Sequence, residues 1–138
     1  MSSIEALSPH PITKSDYLAG IQCSLRLWNR HSAPISYEER GGTAAMRAGT
    51  SVGQLARQLF PGGVVVEAQP WERDRSVVRT RKLIADRTVP AIFEAGFTND
   101  GLHARVDVLK RKPSGGFALY EVKSSGEVKD RHLPDLAF

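Results

Sequence analysis

Cysteine is almost absent. Cys23 stands alone among 138 residues, so no intrachain disulfide can form and no cysteine-built zinc site can be assembled. Histidine offers little more: His10, His31, His103 and His132 are the only four, and none pairs at an i, i+4 ligand spacing. Long apolar runs are missing too, since no stretch approaches the ~18–20 residues that span a bilayer. The opening MSSIEALSPHPITKSDY lacks a positive segment followed by an apolar one, so no secretory signal is expected. There is no Gly-x-Ser-x-Gly elbow, no phosphate-cradling glycine loop and no dinucleotide fingerprint. Serine-hydrolase, P-loop and nicotinamide chemistry are thereby set aside. A cytoplasmic location with no membrane partner is the expectation.

What remains has the balance of a folded, water-exposed domain, with 41% hydrophobic and 25% charged residues. Lysine and arginine number 19 against 15 acidic residues, giving a formal charge of +4. That excess favours polyanions only mildly unless the basic residues share a face. The length suits one domain. Residues 1–11, with two prolines and no periodicity, read as a flexible N-terminal arm, and 12–138 as the domain.

Thr13 or Ser15 can cap a helix starting near Asp16, along which Tyr17, Leu18, Ile21, Leu25 and Trp28 recur at helical spacing. His31 to Gly42 reads as a loop. A second helix is predicted from about Thr43 to Phe60, with Val52, Leu55, Ala56 and Leu59 as its stripe and Pro61-Gly62-Gly63 as its stop. Gly49 and Gly53 either weaken that helix or allow another element to approach closely. Val64-Val65-Val66 reads as a short strand, and Glu72 to Arg87 as a third helix with apolar Val77, Val78, Leu83 and Ile84. This helix is the most basic segment of the chain. Its Arg75, Arg79 and Lys82 make either a solvated face or a phosphate-contacting one. Three strands follow, Ala91–Thr98, Leu102–Arg111 and Gly116–Ser124, turned at Asn99-Asp100-Gly101 and Pro113-Ser114-Gly115-Gly116. Lys129 to Phe138 looks like the first turns of another helix.

Chemistry concentrates in the last two strands. Alternation points Asp107 away from Val106 and Val108, and puts Glu121 and Lys123 on one face. A hairpin turning near Ser114-Gly115 would set Asp107 beside Glu121-Val122-Lys123. Two carboxylates at close range repel unless a cation separates them or one is protonated. Hard oxygen ligands suit Mg²⁺ or Mn²⁺, which keep several waters and bind phosphate oxygens. A neighbouring lysine can orient attacking water or stabilise developing charge. The same three residues also suit an ordinary cross-strand salt-bridge ladder.

The order of motifs narrows the choice. Phe93-Glu94-Ala95-Gly96-Phe97, His103-Ala104-Arg105-Val106-Asp107-Val108-Leu109 and Tyr120-Glu121-Val122-Lys123-Ser124-Ser125 resemble the catalytic strands of the RecB-like branch of PD-(D/E)XK nucleases. Ile12 to Tyr17 with Gln22-Cys23 and Arg26-Leu27-Trp28 is similar to the opening helix of an uncharacterised bacterial family in that branch. Gly49 to Arg57 and Val128 to Phe138 fit the same family. The resemblance implies an α/β restriction-endonuclease-like core, a central mixed, mostly antiparallel sheet flanked by helices. It implies a nuclease hydrolysing DNA phosphodiesters with Mg²⁺ or Mn²⁺. Asp107 and Glu121 would be metal ligands, the Val122 carbonyl would complete the site, Lys123 would be the catalytic lysine, and Glu94 would support them.

Three departures qualify that expectation. The histidine ligand that many RecB-like nucleases carry before the sheet has no match near Gly53-Gln54. Cys23 falls where some relatives place the first ligand of an iron–sulfur cluster, but further cysteines are lacking, so no cluster is expected and Cys23 reads as a small buried hydrophobe. The family continues past the position of Phe138 with a helix bearing a glutamine and a tyrosine, then another strand. A truncated sheet is therefore expected, with an open edge suited to self-association. The alternative function is a catalytically inactive nuclease-fold module that binds nucleic acid or a partner chain.

Overall fold

The computed structural model describes residues 11–32 and 44–138. The arm expected at 1–11 lies outside these residues except for Pro11, as does most of the loop after His31. Thr13 caps α1 (Lys14–Gln22), exchanging hydrogen bonds with Asp16 in a capping box that satisfies two orphan donors of the first turn. The single helix expected to reach Trp28 is interrupted. Cys23 is extended, and α2 (Ser24–Ser32) restarts with the Arg26 and Leu27 amides donating to the Cys23 carbonyl. Ile21, Leu25 and Trp28 are exposed rather than in the core, the latter two lying past the break that shifts the helical phase. Cys23 is also exposed, against the expectation of a buried hydrophobe.

Helix α3 (Ala44–Arg57) precedes the Pro61-Gly62-Gly63 stop. Its expected stripe is not a core face, because Leu55 is exposed and so is Leu59 just beyond the helix. Gly53 has open space around it, so close approach is not its role. Close approach occurs instead at Gly63, where a Cβ would meet the Phe93 ring at 2.4 Å. Beyond it, β2 (Val64–Val65) leads to α4 (Arg73–Ala85).

Three strands form the meander: β3 (Ala91–Asn99), β4 (Leu102–Arg111) and β5 (Phe117–Tyr120). The first two match their expected bounds almost to the residue, and the turn between them has positive φ at Asp100 and Gly101. The sheet is mixed. With β1 (Ile12–Thr13) its order is β1-β4-β3-β2, with β5 also pairing β4. β1 and β2 run parallel to their neighbours, while β3, β4 and β5 are antiparallel. A 3-10 turn at Asp130–His132 and the short α5 (Leu133–Ala137) follow. Among the described residues no helix is long and apolar enough to cross a membrane.

One core cluster joins Val66, Leu83, Val89, Ile92, Ala95, Val106 and Leu109; another joins Ala91, Phe93 and Val108. Helix α4 buries Ser76, Thr80 and Leu83, not the expected pair Val77 and Val78, of which Val78 is exposed. The reason is Gly96. A Cβ there would lie 2.2 Å from Ser76 Oγ, so the glycine lets α4 sit on the sheet backbone, and Thr80 Oγ1 accepts the Gly96 amide at 2.9 Å. Small hydroxyl side chains suit that contact, since each fills little space and supplies a partner to a buried donor.

Candidate active site at the broken edge of β4

Two strands share one edge of β4 and leave a gap between them. β1 pairs its start, Ile12 with Leu102 and Thr13 with His103, while β5 pairs its end, from Tyr120 opposite Val108 to Phe117 opposite Arg111. Asp107 lies within the gap. Because β1 is parallel and β5 antiparallel, the chain enters this gap from both sides, as Lys14 just after β1 and as Glu121 just after β5.

β5 is shorter than the expected Gly116–Ser124, and the cause is local. Past Tyr120 the Val122 amide donates to Asp107 Oδ2 at 2.7 Å instead of joining the ladder. That bond fastens Glu121-Val122-Lys123 beside Asp107, so Asp107, Glu121 and Lys123 do come together, although not by strand alternation. Asp107 itself does not simply oppose Val106 and Val108. Val106 packs with Leu109, whereas Val108 belongs to the other cluster. β3 shows the matching change, with Ile92 and Ala95 in one cluster and Phe93 in the other. Ladder pairing continues on both sides but skips Glu94 and Asp107, where Glu94 has φ 58°. A non-glycine residue at such φ in a strand is costly, and it overturns the expected alternation of Glu94 with Ile92 and Gly96.

Charge neutralisation here is uneven. Glu121 Oε1 receives Lys14 Nζ at 2.8 Å and Lys123 Nζ at 2.9 Å. Asp135 of α5 joins them, hydrogen-bonded to Lys123 and 3.8 Å from Lys14 Nζ. Burial alone would depress the Lys123 ammonium, but its bonds to Asp135 and Glu121 outweigh that and raise its pKa above the usual 10.5. Asp107 is the contrasting member. Burial pushes its carboxyl above the ordinary 3.8; the Val122 amide and Lys14 oppose the shift, while Glu121 and Glu94 add to it. The site thus holds a satisfied carboxylate, Glu121, and a carboxylate under desolvation and repulsion, Asp107.

Glu94 turns to two arginines, Arg57 Nη2 at 3.1 Å and Arg105 Nη2 at 3.2 Å. Arg75 pairs with Glu72 at 2.7 Å, while Arg79 and Lys82 stay exposed on α4. His132 lines a cleft with Glu121 and Lys123. Lys14, Asp135, Arg57 and Arg105 were not singled out as site residues in the sequence. Only the i, i+2 spacing of Arg105 from Asp107 on β4 gave a local signal; Lys14 and Asp135 arrive through tertiary contacts. Among the described residues no group of three or more His, Cys, Asp or Glu side chains is arranged to hold a metal ion. Neither family models, nor curated proteins, nor solved structures gave a match to this chain.

Proposed function

We propose that this chain is a restriction-endonuclease-like, divalent-metal-dependent nuclease acting on DNA phosphodiesters at the β4 gap. The observation carrying this reading is the Val122 amide bond to Asp107, which draws Glu121 and Lys123 to a half-buried carboxylate two residues from Arg105. The donor chemistry fits a hard cation. Asp107 is a desolvated oxygen ligand repelled by Glu121 and Glu94, and a divalent ion between carboxylates relieves that repulsion. Asp107 and Glu121 would hold the ion, with the Val122 carbonyl as third donor. Bound Mg²⁺ or Mn²⁺ supplies Lewis-acid polarisation of a phosphate oxygen and acidifies water.

The chain's own residues supply the rest. Lys123 is held charged by Asp135 and Glu121, so it can orient water or stabilise negative charge developing on phosphate. Lys14 adds a second ammonium at the same Glu121 oxygen. One observation favours the second reading, an inactive nuclease-fold module binding nucleic acid or a partner. Glu121 is already neutralised by two lysines, which compete with any metal.

Calorimetric titration with Mn²⁺ separates the two. Binding is expected in the wild type and lost in both Asp107→Asn and Glu121→Gln. At a free Mn²⁺ concentration a hundredfold above Kd, the wild type should gain about 2.7 kcal/mol of stability, with Mn²⁺-dependent cleavage of plasmid or oligonucleotide DNA. A folded wild type that takes up no Mn²⁺ overturns the enzyme reading and leaves the inactive module.

A further inference from the structure

A second feature adjoins the gap. Between β2 and the start of α4 lies an open cleft of about 460 Å³, lined among others by Arg57, Arg75, Arg105, Glu67, Glu72 and Glu94. The six charges balance in number but not in disposition. Glu94 is divided between Arg57 and Arg105, Glu72 is engaged by Arg75, and Glu67 is exposed. Two guanidiniums therefore share one carboxylate at the inner wall.

The pairing is also incomplete. Arg105 Nε is buried with no hydrogen-bond partner among the described residues, as is Arg73 Nε at the first residue of α4. Arg73 and Arg105 act on the same neighbour: with burial as the larger cause, both push the His103 imidazole below its usual pKa. Arg73 and Arg105 thus bring positive charge to His103 near the first turn of α4, opposed there by Asp74. Meanwhile Glu94, the residue clamping Arg57 and Arg105, holds φ 58° directly across the sheet from Asp107.

We infer that the Arg57–Arg75–Arg105 cleft binds a non-scissile phosphate of the nucleic-acid strand whose neighbouring phosphodiester lies at Asp107. The inference rests on the reading of Asp107 as the cleavage site, which makes a nucleic-acid strand the ligand. The spacing suits it: Arg105 and Asp107 are two residues apart on β4, about 6.6 Å along a strand. Guanidinium N–H groups match phosphate oxygens in planar, two-point fashion, and Arg–Glu pairs on a part-exposed surface can open to take them. The cleft thereby reassigns the basic contacts of this face, with Arg75 contributing and Arg79 and Lys82, exposed further along α4, left out.

Fluorescence anisotropy with a labelled 12-nucleotide single-stranded DNA, in EDTA so that nothing is cut, tests this on the full chain. Arg105→Gln and Arg57→Gln are each expected to weaken binding about tenfold and to lower the salt slope by about 0.7. Arg105→Lys, which keeps the charge, should lose less than Arg105→Gln, and Arg79→Gln should change affinity less than twofold. Circular dichroism melts identify any variant that fails to fold; if Arg105→Gln does, Arg57→Gln, on the other arm of the clamp, carries the test. RNA of the same sequence should bind within about threefold of DNA, because phosphate is what the cleft reads.

The inference is overturned if the folded wild type does not bind, or if Arg79→Gln costs as much as Arg105→Gln. It also falls if both glutamine variants bind normally, or if RNA is rejected. DNA affinity that depends on Arg105 in a protein that takes up no Mn²⁺ would sink the hydrolytic reading and spare the cleft. Mn²⁺-dependent cleavage with Arg105→Gln binding DNA normally would do the reverse.

Discussion

Two regions of this small domain are built on opposite principles. The body formed by α4, β3 and β4 is held by close apolar contact, with Ile92, Ala95, Val66 and Val108 at or near zero exposure and hydroxyls of α4 pressed on Gly96. The gap at the edge of β4 is held by charge, through Lys14, Glu121, Lys123 and Asp135. Apolar burial depends little on pH or salt, whereas part-exposed ion pairs contribute modestly and are screened. The difference teaches where stability resides and where adaptability is kept. Under the proposed function the gap would have to admit a metal and a phosphate, and lysine–carboxylate pairs can exchange partners where packed aliphatics cannot.

The sharpest way to break the comparison is Ile92→Ala. Removing a fully buried side chain should cost about 2–5 kcal/mol in urea unfolding, with little change between low and high salt. A cost below about 1 kcal/mol would mean that the body is not the stable unit. Next in size is Asp16→Asn, which weakens the capping box and the bond from Arg30 Nε at 2.9 Å. Burial raises the Asp16 pKa, but hydrogen bonds from Thr13 and Arg30 prevail and bring it below the ordinary 3.8. The stabilisation is therefore complete above pH 3.8 and fades as pH falls through the lower folded value. The variant should lose about 1 kcal/mol at neutral pH and converge on the wild type in acid melts. A gap that stays constant down to the lowest pH would break the assignment. Smallest is Asp135→Asn, expected to cost about 0.2–1 kcal/mol and less at high salt. A loss as large as that of Ile92→Ala would erase the distinction between the two regions.

Legibility in the sequence followed the same division. β3 and β4 were readable because nine- and ten-residue stretches rich in branched and aromatic residues flank Asn99-Asp100-Gly101, a turn that admits positive φ. Helix α4 was readable from its spacing, but its buried face was not, since Ser76 and Thr80 are chosen by the shape of Gly96 and not by hydropathy. Asp107, Glu121 and Lys123 were named correctly as neighbours. The means differed: strand alternation was expected, while the Val122 amide donates to the Asp107 side chain and β5 ends early. Lys14 and Asp135 had no local signature at all. They reach the gap only when β1 has paired with β4 and α5 has folded back, and no window along the chain contains such contacts.

The pairing of β1 with β4 also sets an order of events in time. The β3–β4 hairpin closes through a two-residue turn, a microsecond step for chains of this kind. Ile12 can donate to the Gly101 carbonyl only after almost the whole intervening chain has been looped, and a longer loop closes at greater entropic expense. Lys14 is therefore delivered late. The β3–β4 hairpin needs none of that loop closure, whereas bringing Lys14 to the gap requires all of it.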